Sequence, residues 1–157
     1  MIRRPSHIAV AVSGSIALIA ALSAFKLSGS ALAAEAQSSS LTLKFVGLKS
    51  DKGGIRILIA ASPEAYADKA APAALVTIAA KLDGPTTTVN GLAPGHYAVK
   101  AFHDLNSDGQ LNFNAMGIPK EPIAFSNNAR AMVGPPAWRD VVFDLKPGKN
   151  ALVMKID

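Results

Sequence analysis

The chain has 157 residues, a formal net charge of +5 and no cysteine. The lack of cysteine excludes disulfide bonds, thiolate metal sites, lipid attachment to a cysteine and a cysteine nucleophile. Beyond the N-terminal segment the basic residues are scattered singly and are not interleaved with aromatic residues, so the composition indicates no nucleic-acid partner.

Residues 1–33 are predicted to be a signal peptide. A pair of arginines near the start is followed by an apolar run at 8–22 and by two small-residue cleavage motifs. The first motif predicts cleavage before Ala34, and the second would direct cleavage after residue 36. The apolar run is shorter than the roughly 20 residues that span a bilayer, which argues against the alternative of a retained anchor. We expect an exported protein, periplasmic or secreted, with no membrane span after cleavage.

After a short polar linker at 34–40, residues 41–157 predict a single β-sandwich domain. Hydrophobic residues alternate with polar ones in several short runs, whereas no long helical period lies between them. Ser62-Pro63-Glu64 predicts one short helical segment, because a serine N-cap is followed by proline at the first helical position. The pattern predicts an all-β, antiparallel sandwich of about seven strands. The alternating runs are 41–45, 55–59, 86–92, 97–102, 139–145 and 151–156.

Turn residues separate these runs. Asp51-Lys52-Gly53-Gly54 suits a hairpin between the first two strands, and the turn at 146–150 predicts a final hairpin. Tyr97 follows an Ala-Pro-Gly turn at the start of a strand, as the corner tyrosine of Ig-like sandwiches does. We expect its hydroxyl to bond upstream backbone and His96 to face solvent.

From His103 to Ala137 the alternation stops, and a loop of that length inside a small domain is usually functional. Its first part, 104–114, resembles a calcium loop of the D-x-N-x-D-G type. The twelfth position is Ala115 instead of glutamate, so we expect weak binding, with a dissociation constant of roughly 10⁻⁴–10⁻³ M. The alternative is a turn whose side chains bond its own backbone. The candidate ligands are Asp104, Asn106, Asp108, Gln110 through its carbonyl, and Asn112.

An enzyme hypothesis would be a small periplasmic hydrolase that uses His103 with a carboxylate, Asp104 or Glu121, and with Ser126. Adjacent residues of a strand point to opposite faces, so Asp104 is poorly placed to orient His103. Ser126 lies in no G-x-S-x-G turn. The sequence therefore favours a non-catalytic protein.

Several segments occur in an order that we recognise. They are Gly95-His96-Tyr97-Ala98-Val99, the loop motif, Gly117-Ile118-Pro119-Lys120-Glu121, Phe125-Ser126-Asn127-Asn128-Ala129 and Gly134-Pro135-Pro136. The chain resembles, over about residues 41–156, the bacterial exported family known as domain of unknown function 2141. The resemblance implies an Ig-like or transthyretin-like β-sandwich and no established activity. Asn112 stands where family members often carry aspartate, which makes any ion site less charged.

The leading hypothesis is an exported, non-catalytic β-sandwich module, structural or binding, with a weak calcium loop as its one candidate cofactor site. A third hypothesis is an accessory of transport or surface assembly that binds a peptide along a sheet edge. Phe125 and Trp138 could display a peptide or carbohydrate site. A small core with few aromatics instead favours rings that cover the open end of the sandwich.

Overall fold

The computed structural model describes residues 38–157, so the predicted signal peptide and most of the predicted linker lie outside the described residues. No helix in this part of the chain is long and apolar enough to cross a membrane. Two single-turn helices, α1 (Pro63–Tyr66) and α2 (Trp138–Val141), and a 3₁₀ turn at Ser126–Asn128 accompany the strands. The strands are β1 (Ser39–Val46), β2 (Gly54–Ala60), β3 (Ala74–Ala79), β4 (Thr86–Leu92), β5 (Gly95–Asp104), β6 (Ile123–Phe125), β7 (Phe143–Leu145) and β8 (Gly148–Lys155).

The strands form two sheets around one core. One sheet has the order β4-β1-β8, and the other has the order β3-β2-β5-β6, with β7 also paired to β5. Alternate residues of β1 and β2 are fully or almost fully buried between the sheets, as the alternation predicts. The all-β sandwich is therefore confirmed.

Strand pairing differs from the prediction in three places. β1 and β8 are parallel, from Ser39 opposite Gly148 to Val46 opposite Lys155, although the other pairs are antiparallel. Both predicted hairpins are wrong, because β1 and β2 lie in different sheets, and so do β7 and β8. A turn sequence favours chain reversal, but the reversed chain can either pair with the preceding strand or cross the roughly 10 Å to the opposite sheet.

Two elements differ from the predicted strands. β3 was not predicted, because apolar residues occupy both of its faces and Leu75 is 71% exposed on the outer one. The predicted strand at 139–145 instead begins with α2, whose turn buries Val141, and only its last three residues form β7. The predicted helical segment is confirmed, since the Ser62 hydroxyl accepts from the Ala65 amide at 3.2 Å.

The predicted tyrosine corner is confirmed at the crossover from β4 to β5. Tyr97 is buried, and its hydroxyl donates to the Ala93 carbonyl at 2.8 Å. His96 is exposed on the opposite face, where its Nδ1 lies 2.7 Å from an Asp144 carboxylate oxygen. Tyr97 therefore ties the connection between the two sheets to the strand that follows it.

A second apolar cluster covers one half of the outer face of the five-stranded sheet. Tyr66 of α1 and Trp138 of α2 pack edge to face, with ring centroids 6.1 Å apart, over Ala98 and Phe125. The prediction that Phe125 and Trp138 fold onto the sandwich holds, but they cover a sheet face and not its open end. The other half of that face is left for the long loop.

Candidate functional site

The site begins where β5 ends, at Asp104. This carboxylate is only 2% exposed, and its Oδ2 accepts from Arg56 Nε and from the Gly109 amide, both at 2.9 Å. Its Oδ1 accepts from the Asp108 amide at 3.2 Å. Burial by itself raises the pKa of Asp104, but the hydrogen bonds from Arg56 and Gly109 outweigh it and lower the pKa below its ordinary value of 3.8.

The next predicted ligands converge in a hydrogen-bonded cluster. Asn106 Nδ2 donates to Asp108 Oδ2 at 2.9 Å and to Asn112 Oδ1 at 3.0 Å, and Asn112 Nδ2 donates to the same Asp108 oxygen at 3.0 Å. Gln110 contributes its backbone N–H, which donates to Asp108 Oδ1 at 2.8 Å. The bond from Asn112, followed by those from Gln110 and Asn106, lowers the pKa of Asp108.

Glu121 closes the loop from the other side. It is 6% exposed, and its two carboxylate oxygens accept from the amides of Leu105 at 2.9 Å and Asn112 at 3.1 Å. One buried carboxylate thus holds the two ends of the calcium-like segment together. We call residues 104–121 the Asp/Asn loop.

The glycine of the motif has a structural role. Gly109 has φ of +82°, and a Cβ atom at this position would lie 2.7 Å from Arg56 Nη2. Only glycine combines this backbone conformation with room for the guanidinium group. The D-x-N-x-D-G pattern therefore also places Arg56 against the loop.

These contacts match the alternative interpretation, a turn whose side chains bond its own backbone. Each carboxylate oxygen of Asp104, Asp108 and Glu121 accepts from at least one N–H donor. Residues 38–157 contain no group of three or more His, Asp or Glu side chains placed to hold a metal ion. Calcium binding by the loop stays a prediction.

The residues of the hydrolase hypothesis do not meet. His103 is buried, with its Nε2 2.7 Å from the Lys52 carbonyl, so that nitrogen donates. The buried Ser126 hydroxyl accepts from the Val99 amide at 3.0 Å and donates to the Val141 carbonyl. The His103 ring nitrogen and the Ser126 hydroxyl are both bonded to backbone groups, and no hydrogen bond joins either side chain to the other or to Glu121.

A cleft of about 580 Å³ lies on the outer face of the five-stranded sheet, beneath the Asp/Asn loop. We call it the outer-face cleft. Its floor comes from three strands, and its walls come from the long loop and from Asp68, so five distant segments contribute and no sequence motif marks it. The one signal in the sequence is the presence of Leu58 and Phe102 at outward-facing strand positions. The side chains that line the floor are Arg56, Leu58, Leu75, Thr77, Lys100 and Phe102, and those of the walls include Leu111, Phe113 and Pro135.

Two cations lie at this cleft, and they differ in how many of their donors are used. Lys100 Nζ donates to both Asp68 oxygens, at 2.8 and 2.7 Å, and to the Tyr66 carbonyl at 2.9 Å. Arg56 uses only Nε, toward Asp104, and its side chain is 40% exposed. Within residues 38–157, Arg56 Nη1 and Nη2 make no hydrogen bond.

Comparison with known proteins bears on the family alone. The family model for DUF2141, described as an uncharacterized protein conserved in bacteria, matches residues 43–152. The chain belongs to this family. No curated protein and no solved structure matched the chain. The matched segment of this DUF2141 protein contains the whole Asp/Asn loop and all the side chains that line the outer-face cleft.

Proposed function

We propose that this DUF2141 protein is an exported, non-catalytic binding module and that the outer-face cleft is its ligand site. The cleft volume of about 580 Å³ carries the proposal, because small-molecule sites have volumes of roughly 300–1,000 Å³. Such sites are largely apolar with a few polar groups that set orientation. Here Leu58, Phe102 and Leu111 supply the apolar surface, and Arg56 and Lys100 are the cationic groups.

The chemistry of the lining supports binding over catalysis. Among the described residues that line the cleft there is no histidine, serine or glutamate, and the aspartate, Asp68, is held by Lys100. A hydrolase needs a nucleophile or a positioned water together with a base. His103 and Ser126, the candidates for those roles, point away from the cleft and are bonded to backbone.

The Asp/Asn loop supplies a rigid wall for the proposed site. Asp104 and Glu121 together accept five hydrogen bonds from the loop backbone and Arg56, which holds Leu111 and Phe113 over the sheet. A wall that is ordered before binding loses little conformational entropy when a ligand arrives. Calcium bound by the predicted ligands would stiffen the same wall.

Export is part of the proposal and is supported by the charged, apolar and small-residue segments in order at the N-terminus. The peptide-accessory alternative would use a sheet edge, such as that of β3 or β4.

The test is a titration of the ¹⁵N-labelled mature protein, purified after export of the full chain, with 1-octanol as an apolar probe. We expect the largest changes in backbone amide chemical shift near Leu58, Phe102 and Leu111. Phe113→Asp, which places a charge on the wall, should weaken binding about tenfold. Met116→Asp, on the same loop but outside the lining, should not weaken it.

The absence of any shift with 1-octanol would contradict the cleft as a ligand site. Shifts that follow an edge strand when an extended peptide is added, without effects in the cleft, would favour the peptide accessory instead.

A further inference from the structure

We infer that the ligand of the outer-face cleft is an apolar molecule with one carboxylate, which binds Nη1 and Nη2 of Arg56. The inference rests on the proposed function of the cleft and adds the chemical class of the ligand. It comes from the way in which the protein holds the Arg56 side chain.

The guanidinium of Arg56 is fixed before any ligand binds. Its Nε donates to Asp104 at 2.9 Å, and Asp104 is itself buried and anchored by the amides of Asp108 and Gly109. The plane of the group lies against Gly109, where a Cβ atom would approach Nη2 to 2.7 Å. The side chain thus has one orientation enforced from two sides, which reduces the entropy lost on binding an anion.

The unused edge of the guanidinium matches a carboxylate. Nη1 and Nη2 have no hydrogen-bond partner within the described residues, and the side chain is 40% exposed at the cleft. Two parallel N–H donors pair with the two oxygens of a carboxylate in a bidentate geometry. A phosphate would bring a further charged oxygen that Arg56 has no donor for, close to Asp104.

Lys100 does not provide an equivalent site. Its three N–H bonds are satisfied by the two oxygens of Asp68 and the carbonyl of Tyr66, and its side chain is only 21% exposed. Only one anionic group is therefore recognised in the cleft. The rest of the ligand lies on apolar surface from Leu58 and Phe102, which favours a hydrocarbon or aromatic body.

The charge of Asp104 does not cancel this preference. Asp104 lies on the Nε side of the guanidinium, buried, and two backbone amides also donate to it. A ligand carboxylate would approach the opposite edge, which is formed by Nη1 and Nη2. The Asp104 carboxylate therefore occupies the Nε side of the guanidinium, and the edge formed by Nη1 and Nη2 is left for a second carboxylate.

Three probes with the same chain separate the contributions of charge and apolar surface: octanoate, 1-octanol and octylammonium, titrated calorimetrically into the mature protein at pH 7. We expect octanoate to bind about tenfold more tightly than 1-octanol, a difference of about 1.4 kcal/mol. Octylammonium should bind more weakly than 1-octanol. Arg56→Gln should abolish the preference, so that octanoate and 1-octanol bind this variant with similar affinities.

Two further variants keep the test decisive. Arg56→Lys retains the charge beside Asp104 but not the two-pronged donor, so it should fold and lose most of the preference. Arg130→Gln, an arginine outside the cleft lining, should keep the full preference.

Equal affinities of the wild-type protein for octanoate and 1-octanol would overturn the carboxylate inference while leaving the proposed binding site intact. A preference that survives in both Arg56 variants would show that another group recognises the carboxylate. Failure of all three probes to bind would overturn the proposed function itself.

Discussion

Substitution of Glu121 is the sharpest test of how the Asp/Asn loop is held. Its carboxylate is 6% exposed and accepts from two amides, those of Leu105 at 2.9 Å and Asn112 at 3.1 Å. Glu121→Ala removes both acceptors and leaves two partly buried N–H groups to be satisfied by water. Glu121→Gln keeps one acceptor oxygen and turns an NH₂ group toward the other amide.

Hydrogen bonds to charged groups contribute about 1.5–3 kcal/mol each. Because the two amides are only partly buried, we take the lower end, which gives roughly 3 kcal/mol for Glu121→Ala and about half of that for Glu121→Gln. For a domain of this size, 1 kcal/mol changes the melting temperature by about 4 °C, so the alanine variant should melt roughly 12 °C lower.

The free energy of unfolding is measured by urea titration of the mature protein, followed by circular dichroism. Asp83→Ala, at an exposed aspartate without a side-chain hydrogen bond among residues 38–157, is the matched control and should unfold as the wild type does. A Glu121→Ala midpoint equal to that of the wild type would refute the clamp. The alanine variant should also bind 1-octanol more weakly, because Leu111 and Phe113 lose their support.

Four further outcomes are expected. Tyr97→Phe should destabilise the domain by about 1–3 kcal/mol in urea titration, because the Ala93 carbonyl loses its donor. Millimolar calcium should raise the melting temperature by several degrees if the dissociation constant is near 10⁻⁴ M, and Asp108→Ala should remove that increment. The pKa of Asp104 is lowered in the folded state, so Asp104 stabilises the fold above the ordinary value of 3.8, and this contribution is lost as the pH falls below it. The urea midpoints of Asp104→Asn should therefore vary less across this pH range than those of the wild type. Intact-mass analysis of the exported protein should show a chain that begins at Ala34 or Gln37.

Each of these has a result that would contradict it. An unchanged midpoint for Tyr97→Phe would mean that water replaces the hydroxyl. Identical melting curves with calcium and with chelator would eliminate the ion site, and magnesium should stabilise much less than calcium. If the urea midpoints of Asp104→Asn and of the wild type fall equally as the pH is lowered, groups other than Asp104 cause the loss of stability in acid. Retention of Met1 in a membrane fraction would make the protein an anchored one.

The features that sequence predicted correctly depend on residues close together in the chain. Alternation in β1 and β2 follows from the two-residue period of a strand with one buried face, and it was enough for the all-β class. The Ser62 cap and the Tyr97 corner are also local, with partners three and four residues away. The same holds within the Asp/Asn loop, where Asp104 bonds to the amide of Gly109.

The errors of prediction concern partners that are distant in the chain. An alternating strand buries the same face whether its neighbour pairs beside it or packs across the core, so the alternation could not assign β1 and β2 to different sheets. The parallel pairing of β1 with β8 joins the two ends of the domain, and no turn residue marks it. β3 was missed because an edge strand with apolar residues on both faces has no polar alternation to detect.

The fold class, the Ser62 cap and the Tyr97 corner could be predicted from the amino-acid sequence, because they follow from periodicity and from short-range hydrogen bonds. Two features appear only in the three-dimensional structure: Arg56 pairs with Asp104, which is 48 residues later in the chain, and Glu121 closes the loop above a cleft. The reason is physical: Arg56 and Asp104 meet because β2 pairs with β5, and strand pairing brings together residues that are distant in the chain. The outer-face cleft, with its apolar floor and the Arg56 side chain at its edge, results from the same strand pairing.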